Sequence, residues 1–255
     1  MHSPPALQVL GVRVARLDPA AALSEIERLY ERGTPASVVH VNAHTLNLAA
    51  EDPSYRAVLN SAGLVLNDGK GVMLAARLQG SRFPADLNGN FFGPRLLELA
   101  ASHGWSVFFL GAAPGIAETA ARRLTDRIPA LRVVGMRDGH FGREQDAEVA
   151  EAVRVAGADL ILVALGNPLQ ERWLQRWLPA TGARLGTGVG AFFDFQAGAV
   201  QRAPGWMNRL GLEWAHRLVL EPRRMWRRYL IGNPLFLFRA ARSARMDSTT
   251  GGAAP

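Results

Sequence analysis

The chain has 255 residues, 48% of them hydrophobic, enough for one full α/β core with an appendage. It contains no cysteine, which excludes disulfides and thiolate chemistry and fits a reducing compartment. The net charge is +7, and Lys70 is the only lysine, so the positive charge is almost all arginine, a side chain suited to planar oxyanions such as phosphate. Met1–Ala6 has neither the basic start nor the long apolar run of a targeting signal. No stretch reaches the ~20 apolar residues of a membrane span, since Gly232-Asn233-Pro234 interrupts Leu230–Phe238. The expected location is therefore the cytoplasm, with contact to a membrane surface left open.

In chain order, Met1–Pro5 reads as frayed and Leu7–Leu17 as strand. Pro19–Arg32 has helical periodicity, and Ser37–Asn42 is a strand followed by short helices at His44–Glu51 and Pro53–Ser61. Leu64–Leu66 is a strand that stops at Asn67-Asp68-Gly69, and Gly71–Leu78 is helical. Arg82–Gly89 is a loop before a helix at Phe91–Ser102. A regular alternation follows: strand Ser106–Leu110, turn Gly111–Gly115, helix Ile116–Arg127, strand Leu131–Met136, helix Glu144–Ala156, strand Leu160–Leu165, helix to about Leu178, and strand Ala183–Val189. Strands alternating with helices of this length predict βαβ units in a mostly parallel sheet. Residues 1–200 are expected to form this α/β domain, 201–245 an Arg- and Trp-rich helical appendage, and 246–255 a disordered tail. Ten arginines lie between Arg202 and Arg245, interleaved with Trp206, Trp214, Trp226, Tyr229, Phe236 and Phe238.

Candidate site residues gather at strand ends, where open α/β sheets bind ligands. Leu160–Leu165 is an unbroken apolar run that suits a strand buried on both faces. Gly166-Asn167-Pro168 stops it, and Pro168 is placed to open a helix carrying Gln170 and Glu171. Asp68, in a turn just past a strand, suits a general base; the same Asp-Gly pair is also ordinary chemistry for a tight bend. Asn42 ends another strand and suits hydrogen bonding to a base or sugar. Gly111-x-x-x-Gly115 and the run Gly186–Gly190 allow close backbone approach, either to a ligand or to a packed helix. His40 and His44 have no partners at zinc-like spacing, and no Asp-x-Asp occurs, so neither a metal nor another cofactor is expected.

Several of these segments, in this order, resemble the WecG/TagA/CpsF glycosyltransferases. The resemblance runs from about Val38 to Arg228. It rests on Gly166-Asn167-Pro168-Leu169-Gln170-Glu171-Arg172-Trp173, on Asp68-Gly69, and on Arg202-Ala203-Pro204 through Gly211-Leu212-Glu213-Trp214, Arg217, Glu221-Pro222-Arg223 and Arg227-Arg228. It implies a Rossmann-like domain with a C-terminal appendage and inverting, metal-independent transfer from a nucleotide-sugar donor, UDP-linked in expectation. The acceptor is a polyprenyl-diphosphate-linked saccharide at the inner membrane face, as in cell-surface polysaccharide synthesis. By position Asp68 is the catalytic base, and Asn42 and Gln170, with Glu171, belong to the substrate pocket. Arg217, Arg223 and Arg224, with Arg227 and Arg228 beside them, meet a diphosphate at the membrane. Oligomers of the family could cover the appendage.

The chain departs from the family pattern at two places. His40 stands where members often have Thr, and Ala85-Asp86 where they often have Glu-Arg. Asp in place of Arg is a two-unit charge change. It opens a hexose donor beside an N-acetylhexosamine, with Asn88 supplying a hydrogen bond in that loop. Three rivals remain. A nucleic-acid binder would carry a basic stripe over the sheet domain too, whereas the excess here follows Gln201. A dinucleotide oxidoreductase would want G-x-G-x-x-G after the first strand, which is missing. A non-catalytic protein binding an anionic surface through the basic segment would not need Asp68.

Overall fold

In the computed structural model the described residues are 4–201, 203–204, 207 and 213–250. The chain opens with an antiparallel hairpin of β1 (Ala6–Val9) and β2 (Val12–Ala15), so the strand expected over Leu7–Leu17 is two strands. Leu10 and Gly11 turn the corner at φ 50° and 79°. Positive φ at both central residues is the geometry that matches the twist of a two-residue hairpin.

Six strands then form one sheet: β3 (Ala36–Val41), β4 (Leu64–Asn67), β5 (Ser106–Gly111), β6 (Arg132–Arg137), β7 (Leu160–Ala164) and β8 (Leu185–Gly188). Their order is β4-β3-β8-β7-β5-β6, and every ladder is parallel. The α/β expectation is met. Parallel neighbours need crossovers, and the intervening helices supply them: α1 (Pro19–Glu31), α2 (Ala43–Glu51), α3 (Pro53–Asn60), α4 (Lys70–Leu78), α5 (Gly89–Ser102), α6 (Ile116–Arg127), α7 (Asp146–Ala156), α8 (Leu169–Trp177) and α9 (Phe192–Ala197).

Alternation along the strands divides the core. Leu160 and Leu162 face α1, α5, α6 and α9, together with Val38, Phe109 and Leu185. Ile161 and Val163 face the opposite layer with Val149, Val153 and Leu174. On that second side the β3–β4 half has its own cluster, built on Val39, Val41 and Val65.

The C-terminal segment is helical, with α10 (Glu213–Leu220), α11 (Pro222–Trp226), a π turn at Arg227–Ile231 and α12 (Gly232–Thr250). Pro234 falls just after the π turn, in the first turn assigned to α12. α12 packs on α2 and α4 and buries Phe236 fully in the β3–β4 cluster. Asn47 donates to the Gly232 carbonyl at 2.7 Å, and Arg239 donates to Asn47 Oδ1 at 3.1 Å and pairs with Glu51 at 2.8 Å. α12 includes Met246–Thr250, part of the stretch expected to be disordered. Residues 251–255 lie outside the described residues. Among those described, no helix is long and apolar enough to cross a membrane.

Candidate active site

Because all six strands are parallel, their C-terminal ends share one edge. Asn42, Asp68, Gly111, Gly166 and Val189 stand there, each within two residues of a strand end.

Asn42 is the N-cap of α2. Its Oδ1 accepts from the amides of His44 and Thr45, both at 3.1 Å, and from the Thr45 hydroxyl at 3.2 Å. Three donors fix the oxygen, so the amide NH2 points the other way, and it donates to Asp68 Oδ2 at 3.2 Å. The Asp68 amide donates to the Val41 carbonyl at 2.9 Å, which carries the β3–β4 pairing one step past the strand. Gly69 then turns the chain at φ 90° into α4. The Asp68 carboxylate is thus aimed by backbone on one side and Asn42 on the other.

The loop 82–88 is stitched beneath this turn. Gly69 N–H donates to Asp86 Oδ1 at 2.8 Å, so the residue standing where the family often has Arg acts as an acceptor at the start of α4. Burial, then the like charge of Asp68, push the Asp86 carboxyl up, while the Gly69 and Asn88 amides and Lys70 pull it down. Asn67 is fully buried and donates to the Ala85 carbonyl at 2.9 Å. His40 Nδ1 lies 2.9 Å from the Leu87 carbonyl, which can only accept, so that nitrogen carries the proton. Burial lowers the His40 pKa to about 4, which leaves the ring neutral and structural. Asn88 caps α5 by accepting from the Asn90 amide at 2.9 Å.

The Gly166–Trp173 stretch behaves differently. The Asn167–Pro168 peptide is cis, and Pro168 caps α8 rather than opening it. Gln170 and Glu171 are 3% and 2% exposed. Glu171 Oε1 accepts from Asn167 at 2.6 Å and Gln170 at 2.7 Å, and Oε2 accepts from the Tyr55 hydroxyl at 2.9 Å. Burial pushes the Glu171 carboxyl up, against these three donors. Gln170 Oε1 accepts from the Gly190 amide at 3.1 Å, tying the β8 loop to α8. The glycines of β8 serve that packing, since a Cβ at Gly186 would collide with Leu174 and one at Gly188 with Gln170. Of the alternatives open for this glycine run, a packed helix is what the structure places against Gly186 and Gly188.

The structure therefore brings Asn42 and Asp68 into contact, sets Asn88 in the loop beneath them, and buries Gln170 and Glu171 under the β7 and β8 ends. Arg223 is exposed on α11. The side chains of Arg217 and Arg224, and all of Arg202, Trp206, Gly211 and Leu212, lie outside the described residues. The C-terminal arm does approach this edge. Burial first, and then the charge of Arg228, lower the His44 pKa to about 4, and Phe236 reaches the start of α4 at Gly71. Asp86, Asn167 and Tyr55 were not singled out in the sequence as polar partners at this edge. Asn167 had a signal in its place in the Gly166–Trp173 motif and Asp86 in its change of charge, whereas Tyr55 had none.

Comparison with known proteins adds the chemistry. A curated relative from Bacillus spizizenii strain W23 is 32% identical over 209 residues, covering 82% of this chain and 80% of its own, and is an N-acetylglucosaminyldiphosphoundecaprenol N-acetyl-beta-D-mannosaminyltransferase. A second, of the same name from Bacillus subtilis strain 168, is 32% identical over 195 residues, covering 76% of this chain and 75% of its own. The profile of the glycosyl transferase WecG/TagA/CpsF family matches residues 7–250, so the chain belongs to that family and is a glycosyltransferase.

Proposed function

We propose that this enzyme transfers a hexose or N-acetylhexosamine from a nucleotide-sugar donor, UDP-linked by its resemblance, to a hydroxyl of a polyprenyl-diphosphate-linked saccharide, inverting the anomeric centre. The observation that carries the reading is Asp68, a carboxylate at a parallel-sheet strand end held by Asn42 at 3.2 Å. The acceptor class is supported by the names of both relatives, whose acceptor is a diphosphoundecaprenol-linked sugar.

In this mechanism Asp68 takes the proton from the acceptor hydroxyl as that oxygen attacks the anomeric carbon from the face opposite the diphosphate. Asn42 keeps the carboxylate in one rotamer, so little reorganisation is needed as the proton moves. Negative charge growing on the departing diphosphate is met by arginine, for which Arg217, Arg223 and Arg224 are the candidates, without an obligatory metal. Preorganised donors of this kind are worth ~3–4 kcal/mol each in a dry site. Gln170 and Glu171 contribute by holding the Gly166–Pro168 and Gly190 turns that line the donor side. The enzyme works peripherally at the inner membrane face. Val219, Leu220, Trp226, Leu230, Ile231 and Phe238 are all exposed among the C-terminal arginines, the composition of an interfacial segment.

The test is a panel of UDP-sugars, UDP-N-acetylmannosamine included, offered with a polyprenyl-diphosphate N-acetylglucosamine acceptor and read by the mass of the lipid product. A product heavier by one sugar is expected, undiminished by EDTA. Sugar released to water at the same rate with and without the lipid acceptor would overturn the reading.

A further inference from the structure

Asn42 and Asp68 each stand at the head of a helix. Asn42 caps α2, and Asp68 precedes the Gly69 turn into α4. Both helices are braced from behind by α12, from the far end of the chain. Phe236 of α12 is fully buried, and its ring lies where the first turns of α2 and α4 meet. A Cβ built on Gly71 would fall 3.6 Å from the Ala43 methyl and 3.8 Å from the Phe236 ring, both ordinary van der Waals distances. Ala43 directly follows Asn42, and Gly71 is three residues after Asp68. One aromatic ring of the C-terminal segment therefore backs both members of the pair. The same cluster holds Val41, the residue before Asn42, and Val72 on α4.

Polar contacts fix the ring in this seat. Asn47, one turn beyond Ala43 on α2, is 7% exposed and grips α12 with both ends of its amide. Its nitrogen donates to the Gly232 carbonyl at 2.7 Å, and its oxygen accepts from Arg239 at 3.1 Å. One turn further, Glu51 pairs with Arg239 at 2.8 Å. Residues 43, 47 and 51 share one face of α2 by their four-residue spacing, so α12 is held along the length of that helix. Interiors are close-packed, so moving a ring wedged between two helix starts moves the starts. The Asn42–Asp68 bond, at 3.2 Å, is already at the long end of the N–H···O range, and a few tenths of an ångström would break it.

We infer that Phe236 is a positioning residue for the general base: by bracing α2 against α4 it sets the reach of Asn42 to Asp68, so that seating of the C-terminal segment and aim of the carboxylate are one event. The catalytic half of this statement rests on the transfer reaction proposed above, whereas the mechanical half does not.

The experiment therefore has two readouts on the full chain. One is the NMR signal of the Asn42 side-chain NH2, assigned by its absence in Asn42→Ser, with its position without the bond taken from Asp68→Ala. The other is transfer kinetics with the UDP-sugar panel and the polyprenyl-diphosphate N-acetylglucosamine acceptor. Phe236→Ala should move the NH2 signal toward its Asp68→Ala position and lower kcat ~10-fold with donor KM within ~2-fold, the split expected when only transition-state geometry is lost. Phe236→Leu, which partly refills the seat, and Arg239→Gln, which loosens it without opening a cavity, should shift both readouts in the same direction by less. These two test the brace even if Phe236→Ala does not fold. In the Asn42→Ser background Phe236→Ala should cost under ~3-fold more, because both changes act through one bond. Val9→Ala thins the same cluster from the hairpin side and should leave kcat within ~2-fold of wild type. An unmoved NH2 signal, losses that multiply in the double variant, or a Val9→Ala defect equal to that of Phe236→Ala would each overturn the inference. A moved signal with unchanged kcat would uphold the brace and overturn Asp68 as the base.

Discussion

The two halves of the strand-end edge use polar residues in opposite ways. At β3–β4, Asn42 and Asp68 are half-buried and point off the sheet, with their supports, His40, Asn67 and Asp86, stacked beneath. At β7–β8 the polar residues of the motif, Gln170 and Glu171, turn inward, and their hydrogen bonds end on Tyr55, Asn167 and Gly190. The more recognisable stretch of sequence is thus the more buried one. A dense polar motif at a strand end can be the frame of a site, while the group proposed to react is a lone acid in a two-residue turn.

The sharpest break of this comparison is Asp68→Asn. If the outward half carries the chemistry, transfer should fall ~10²–10⁴-fold, the usual worth of a general base. The melting temperature and donor affinity should stay near wild type, since Asn fits the same turn. Turnover within a few-fold of wild type would reduce Asp68 to a bend.

The opposite signature is expected from Glu171→Ala. Removing the carboxylate strands the Tyr55 hydroxyl and the Asn167 and Gln170 amides, and each unsatisfied buried donor costs about 1–3 kcal/mol. Denaturant titration should show a loss of about 3 kcal/mol or more. Glu171→Gln should lose less, yet still set one N–H against a donor. A fully stable Glu171→Ala with lost donor binding would instead make Glu171 a ligand contact.

What could be read in advance follows from how local each interaction is. The sheet strands announced themselves by apolar runs and breakers, and the Asn67-Asp68-Gly69 turn by its own three residues. The Leu10–Gly11 hairpin did not, because a bulky residue at positive φ has no sequence signal, and the strand pattern runs through it. Glu171 looked like a pocket residue because its hydroxyl partner, Tyr55, is 116 positions away. Asp86 was visible as a change of charge, but its acceptor role needed the fold to bring Gly69 to it. The burial of Phe236 was hidden for a similar reason, since its arginine-rich surroundings suggested an exposed helix.

The support beneath the outward half should titrate. His40 is buried with its folded pKa lowered to about 4 from an ordinary 6.5. Above pH 6.5 the ring is neutral in both states, and its contribution is fully present. As pH falls from 6.5 toward 4 the unfolded chain binds a proton that the folded chain refuses, and stability drops. Between pH 7 and pH 5 the loss from this residue is about 2 kcal/mol. His40→Asn keeps an N–H donor for the Leu87 carbonyl without the titration, so its chemical-denaturation midpoint should fall less than wild type over that range. Parallel pH profiles for the two proteins would place the His40 ring in contact with water.

The smallest expected effect separates two jobs of one residue. Asn42 caps α2 through its oxygen and steadies Asp68 through its nitrogen. Serine caps helices about as well as asparagine but cannot reach Asp68 with a second group. Asn42→Ser should therefore leave stability within a few tenths of a kcal/mol, whereas Asn42→Ala should lose the cap, ~1 kcal/mol. Both should lose the bond to the carboxylate. A hydrogen bond to a charged group is worth ~1.5 kcal/mol or more, so each variant should turn over ~10-fold slower. Loss of that bond also lets Asp68 rotate, so the deficit should appear in kcat more than in donor affinity. Equal rates for Asn42→Ser and wild type would show that Asp68 is aimed without the Asn42 bond. A rate lost only in Asn42→Ala would trace the effect to the helix cap and not to the carboxylate.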